Sequence, residues 1–208
     1  FEPEHTAFGV EFGTGWGDRL GWLDESAQAL RALLDGDQVT SPDNGRYRLD
    51  HAELYPRPVQ ERLPILIGGG GERKTLRTVV RYADMWNWVG LEDLDRMRAK
   101  HAVFEQRCEE HDRDPATIER SAFFSPVIRD TEDEALAFFQ TQMEANRLAN
   151  SVLDDADIYV TTPERMTELM IAWKHMGIST FIVEIAAPFD DETAERIATD
   201  IRPPVDAA

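Results

Sequence analysis

Apolar residues along this chain recur with two periods, and the two periods alternate. From Leu20 the period is helical: Leu20, Leu23, Ala27, Leu30 and Leu34 share a stripe, with Asp18, Asp24 and Glu25 off it. Spacings of three and four put side chains on one face of an α-helix. Asp35-Gly36 closes that helix, glycine being the usual residue where a helix ends. The spacing returns at Leu76, Val79, Val80 and Ala83, and at Leu94, Met97, His101, Phe104 and Cys108. It recurs at Ala135, Phe138, Phe139 and Met143, at Met166, Leu169, Met170 and Trp173, and at Ala194, Ile197 and Ile201, where the last helix ends before Pro203-Pro204. His101 and the methionines lie on apolar sides and read as packing residues.

Between these stripes come short continuous apolar runs. Leu63–Ile67, Met85–Val89, a run within 118–128 centred on Ala122-Phe123-Phe124, and Phe181–Ile185 read as strands buried on both faces. Local signals punctuate the order. Thr131 and Glu134 form a capping box. Thr162-Pro163 supplies an N-cap and the first helical residue, and Gly177 a C-cap.

The remaining stretches have no period. Residues 1–17 read as a loop. Residues 35–62 read as an irregular insertion, with Asn44-Gly45 between short extended pieces suggesting a small hairpin. Residues 144–160 are less regular, and Asp154, Asp155 and Asp157 read as a solvated face.

Four strands alternating with helices predict an α/β fold of right-handed βαβ units on a parallel sheet. Residues 1–208 read as a single domain, either a small open sheet or half of a (β/α)8 barrel. Ligand sites in both architectures lie at the carboxyl ends of the strands. That places Gly68–Gly71, Trp86-Asn87-Trp88, Ser125 and Glu184-Ile185-Ala186 around one mouth.

Composition narrows the partners. Hydrophobic residues are 42% and charged residues 30% of the chain, as in folded globular proteins. A net charge of −18 repels nucleic acid and anionic membranes, so neither is an expected partner. Cys108 is the only cysteine, which excludes an internal disulfide and a cysteine zinc site; no metal is expected, and a reducing cytoplasm is the expected location. No apolar stretch approaches the ~20 residues of a membrane span. The chain opens at Phe1, without methionine, as a fragment of a longer protein would.

The most informative stretch is Leu63-Pro64-Ile65-Leu66-Ile67-Gly68-Gly69-Gly70-Gly71-Glu72-Arg73-Lys74-Thr75: a strand, four glycines, then a helix beginning near Glu72. A helix start leaves backbone N–H groups without partners and carries a partial positive charge. Glycines let an anion approach that backbone closely, so a phosphate is the natural guest. A plain tight turn is the alternative. Two phosphate motifs fail here. The Walker and dinucleotide patterns each require glycine where this chain has Arg73.

These residues, with Leu76-Arg77, Arg81-Tyr82-Ala83-Asp84 and Trp86-Asn87, closely resemble the bacterial luciferase-like monooxygenase superfamily. Within it the resemblance is best to the branch dependent on the deazaflavin coenzyme F-420. Phe1-Glu2-Pro3-Glu4-His5 resembles the segment after the fourth barrel strand of that branch. Pro56-Arg57-Pro58-Val59-Gln60, Asp112-Arg113-Asp114-Pro115 and Thr162-Pro163-Glu164 also sit where the family has similar residues. The resemblance covers nearly the whole chain.

The resemblance implies a TIM barrel of which this chain holds strands five to eight, a partial barrel that a second copy could complete by pairing. It implies coenzyme F-420, or alternatively FMN, at the barrel mouth. Its phosphate would lie on Gly68, Gly69, Gly70 and Gly71, with Trp86 and Asn87 lining the pocket. The implied chemistry is hydride transfer or monooxygenation on a small organic substrate. Glu4 and His5 fall near the mouth and are the acid–base candidates. Two other readings stand beside this one: a non-catalytic half barrel that binds an anion or a partner, and a different TIM-barrel phosphate enzyme.

Overall fold

A computed structural model describes residues 2–88, 94–148 and 158–208. Helices α1 (Glu2–Ala7) and α2 (Trp16–Asp35) precede strand β1 (Leu66–Gly68). Then come α3 (Thr75–Tyr82), β2 (Met85–Trp88), α4 (Leu94–Glu110), a short 3-10 turn (Pro115–Thr117) and β3 (Glu119–Ile128). The chain continues through α5 (Glu132–Asn146), β4 (Ile158–Thr161), α6 (Pro163–His175) and β5 (Thr180–Val183). It ends in α7 (Asp191–Arg196), a π turn (Ile197–Ile201) and α8 (Arg202–Ala207). The described residues fall into two compact units. One is drawn from 1–67, 71–85 and 104–118, the other from 68–70, 86–103 and 119–208.

In the first unit, the predicted helical stripe of α3 is the core: Leu76, Val79, Val80 and Ala83 are all buried. Thr78 donates to Asp24 of α2 at 2.8 Å, and Arg81 pairs with the same carboxylate. Asp84, just past α3, fixes the entry to β1. It accepts from the Ile65 N–H at 2.8 Å, Arg62 at 2.6 Å and Arg31 at 3.1 Å, while Arg31 also donates to the Leu63 carbonyl. Residues 35–62 hold one antiparallel bridge, Val39 to Ala52.

The second unit carries β3, β4, β5 and most of β2. Strand order is β1-β2-β3-β4, with β5 also on β3. Strand β3 is ten residues long and runs parallel to β5 along its first half and to β4 along its second. Its first half pairs with β5, Ser121 to Thr180 through Phe124 to Val183; its second half pairs with β4, Ser125 to Ile158 through Ile128 to Thr161. Burial alternates along β2, with Trp86 and Trp88 inside. Phe124, Tyr159, Trp173 and Phe181 meet edge-on or tilted at centroid distances of 5.3–6.4 Å. Aromatic pairs of this geometry add to the burial of their area. Val127, Ala135, Phe139 and Met143 form a further buried cluster under α5.

Arg129 and Asp190 lock the end of β3. Both are buried, at 7% and 4% exposure. Two guanidinium nitrogens reach the two carboxylate oxygens at 3.1 and 3.0 Å, and Thr193 donates to Asp190 at 2.6 Å. Burial by itself pushes the Asp190 carboxyl up. Hydrogen bonds from Arg129 and Thr193 outweigh it and hold the group below the usual carboxylate range.

Four expectations are corrected. Residues Glu2–Ala7 form a helix rather than a loop; at six residues it is too short to show a period. Helix α3 starts at Thr75, not Glu72; residues 72–74 form an exposed turn ahead of it. Residues 158–161 are a strand, so there are five described strands rather than four. The last helix continues through Pro203-Pro204. The π turn resets the chain there, and the prolines occupy the first turn of α8, where their missing N–H groups have no helical partner to lose. Val89, Asp154, Asp155 and Asp157 lie outside the described residues.

Candidate functional site

The glycine turn at the end of β1 is braced by β2. The Gly69 N–H donates to the Asn87 carbonyl at 2.9 Å, and the Trp86 indole N–H donates to the Gly69 carbonyl at 2.9 Å. Gly69 has φ +117°, a value that favours glycine. Gly70 sits against Trp88: a Cβ there would fall 2.7 Å from the indole nitrogen. Gly68 is open, with only the Asn87 carbonyl at 3.9 Å from a Cβ. The glycine run therefore has a conformational cause at Gly69 and a packing cause at Gly70, and Gly68 is the position that neither explains. In the first unit, a Cβ on Gly71 would meet the Thr75 hydroxyl at 2.7 Å.

A cation joins the turn. Lys100, on α4, donates to the Gly70 carbonyl at 2.8 Å, and its ammonium lies 5.9 Å from the Trp88 ring centroid. Among the described residues nothing accepts from the Gly70 N–H. The turn thus presents one backbone donor and one positive charge, with Gly68 and Gly69 exposed and without side chains. This can hold a phosphate, though with fewer donors than the sequence suggests, since the Gly69 N–H belongs to the sheet.

The other expected site residues are placed as follows. Trp86 is 1% exposed, so its ring is core and its N–H is a strut for the turn rather than pocket lining. Asn87 is half-buried, and its side-chain amide donates to Ser121 Oγ on β3 at 3.0 Å, an oxygen that also donates to the Trp86 carbonyl. Ser125 Oγ donates to Glu184 at 2.9 Å. His101 is buried, as a packing residue, with its ring 5.7 Å from Trp86 and its Nδ1 3.4 Å from Arg120. Glu4 and His5 lie on α1 in the first unit. Glu4 is exposed, and the His5 ring meets Phe12 edge-on at 5.0 Å. Lys100 and Ser121 were not anticipated: each reaches the site across at least 30 residues of sequence, and no local pattern marks such a pairing.

A family model described as luciferase-like monooxygenase matches residues 1–180. The chain belongs to the luciferase-like monooxygenase family. Solved structures share the fold of this chain over part of their own length. An F420-dependent secondary alcohol dehydrogenase, bound to an F420–acetone adduct, is 21% identical with a TM-score of 0.72, over 93% of this chain and 64% of that one. A riboflavin lyase, solved with a modified FMN and riboflavin, is 15% identical with a TM-score of 0.67, over 96% of this chain and 59% of that one. An uncharacterised protein of Mycobacterium tuberculosis is 31% identical over 77 residues, 37% of this chain and 27% of that protein. The chain thus spans less than two thirds of the solved structures it matches and aligns with about a quarter of the mycobacterial protein. Its fold is α/β, a partial TIM-barrel of parallel strands. Among the described residues no helix is long and apolar enough to cross a membrane.

Proposed function

We propose that this chain carries the phosphate end of the cofactor site in a flavin- or deazaflavin-dependent oxidoreductase, with coenzyme F-420 as the first candidate and FMN as the alternative. The observation that carries the reading is the glycine turn supplied with a cation: a Gly70 N–H with no acceptor among the described residues, two exposed glycines and the Lys100 ammonium. Family membership and the cofactors named for two solved neighbours agree with it. A flavin or deazaflavin supplies hydride transfer when bound, or monooxygenation with FMN and oxygen.

The residues of this chain have supporting roles. Gly70 N–H and Lys100 hold the phosphate. Gly68 and Gly69 keep its approach clear. Trp86 holds the turn from behind, and Asn87, fixed by Ser121, offers a polar edge beside it. Glu4 and His5 are acid–base candidates through family resemblance. The substrate is a small organic molecule, and a second copy or the remaining half of the barrel completes the site.

Fluorescence titrations with F-420 and FMN test the reading. Gly68→Asp adds a negative charge at the one glycine with open space around it. The variant should keep its fold and bind the preferred cofactor roughly tenfold more weakly or worse, the scale of one charge-assisted hydrogen bond. Unchanged affinity in Gly68→Asp would remove the phosphate from this turn.

A further inference from the structure

A cavity of about 240 Å³ opens at the carboxyl ends of β3 and β5, within the second unit. Ser125, Gln142, Glu184 and Asp190 contribute its polar lining, and Val127, Phe139, Met143 and Ile158 are part of its apolar wall. The wall is preformed: Val127, Phe139 and Met143 belong to one buried cluster, and Ile158 packs on it. One hydrogen bond holds the carboxylate and another holds its backbone. Ser125 Oγ donates to Glu184 Oε2 at 2.9 Å, and the Glu184 N–H donates to the Phe124 carbonyl at 3.0 Å. Among the described residues no lysine, arginine or histidine pairs with this carboxylate. The other acid at the cavity, Asp190, is already matched by Arg129. Among the described residues the cavity therefore has one carboxylate, Glu184, with no cationic partner, beside an apolar surface.

We propose that this cavity binds a small organic cation: a primary ammonium group carried on a short apolar body. A compact ammonium with three donors suits a single carboxylate with a free oxygen, where a planar guanidinium would want two partners. The volume lies below the roughly 300–1,000 Å³ of sites for drug-sized ligands, which limits the body to a few carbons. The chain's net charge of −18 draws cations and repels anions. The proposal needs neither the glycine turn nor a flavin, so failure of the cofactor reading leaves it standing.

The test is a ¹H–¹⁵N NMR titration of the 208-residue protein with n-butylammonium, 1-butanol and butyrate at constant ionic strength. Butylammonium should give saturable shifts at the amides of Phe139, Met143 and Ile158. 1-Butanol, with the same apolar body, should bind roughly fivefold more weakly or worse, and butyrate should not bind. Glu184 is exposed, so Glu184→Gln should keep the melting midpoint while weakening butylammonium by a similar factor. Equal binding of 1-butanol and butylammonium, undiminished binding by Glu184→Gln, or no saturable shift at those amides would each overturn the proposal.

Discussion

Gly70→Ala separates the two causes of the glycine turn. An alanine Cβ would stand 2.7 Å from Trp88 Nε1 and 3.0 Å from Cδ1. Carbon atoms do not sit that close, so the indole must move. It has little room, being 7% exposed and stacked on Trp86 at 6.1 Å. Overpacking of this kind costs about 1–3 kcal/mol. The alanine recovers about 0.4–1 kcal/mol by restricting the unfolded chain. The net loss is then roughly 0–2.6 kcal/mol, about 1.3 kcal/mol at the midpoints, a melting midpoint lower by roughly 3–5 °C at that value for a chain of this size. Gly68→Ala is the control. Its Cβ meets only the Asn87 carbonyl, at 3.9 Å, so it should melt within roughly 2 °C of the parent or slightly above it. Differential scanning calorimetry without any cofactor reads both. If Gly70→Ala melts with the parent, the Trp88 contact does not constrain the turn, and the glycine must be explained by a ligand alone.

Other consequences follow from the same geometry. Asp190→Asn removes the buried partner of Arg129, leaving that guanidinium only the half-exposed Glu192 carboxylate at 3.3 Å, and should cost about 3 kcal/mol by urea denaturation at neutral pH. Because the folded-state pKa of Asp190 is lowered, its contribution is present above the unfolded carboxylate value of about 3.9 and is lost as pH falls through the lower folded value. The variant's stability should therefore lack that acid limb, and an identical acid limb in both proteins would contradict the assignment. Trp86→Phe removes the indole donor to Gly69 and should cost about 1 kcal/mol or more, with the loss centred on the turn in amide hydrogen exchange. Lys100→Met should weaken cofactor binding while riboflavin, which has no phosphate, binds as before.

Much of the fold was legible because its signals are local. The capping box of Thr131 and Glu134 and the N-cap of Thr162 are formed as their spacing predicts. The helical stripes of α3 and α6 are buried. What was missed lacks local contrast. Strand β4 is four residues long, and its Ile158-Tyr159-Val160-Thr161 run follows an acidic stretch that masks it. Helix α8 contradicts its prolines only because the π turn precedes it. Site residues divide the same way. The glycine turn announces itself, but the burial of Trp86 depends on which face of β2 meets the helices. Lys100, Ser121 and the pairing of Arg129 with Asp190 depend on contacts across 30 to 61 residues.

The most direct measurement compares each cofactor with a counterpart lacking the phosphate: riboflavin for FMN, and for F-420 the deazaflavin that lacks the phosphate together with the tail esterified to it. FMN against riboflavin, and F-420 against its phosphate-free deazaflavin, would be titrated into the protein and into Gly68→Asp, with the thermal midpoint as readout. A ligand at one hundred times its dissociation constant stabilises by ~2.7 kcal/mol, roughly 5–10 °C here. A cofactor phosphate on the Gly68–Gly70 turn predicts a clear shift with the phosphorylated member of one pair, little with its partner, and loss of that difference in Gly68→Asp. Equal shifts within both pairs, or a phosphate-dependent shift that survives Gly68→Asp, would contradict it.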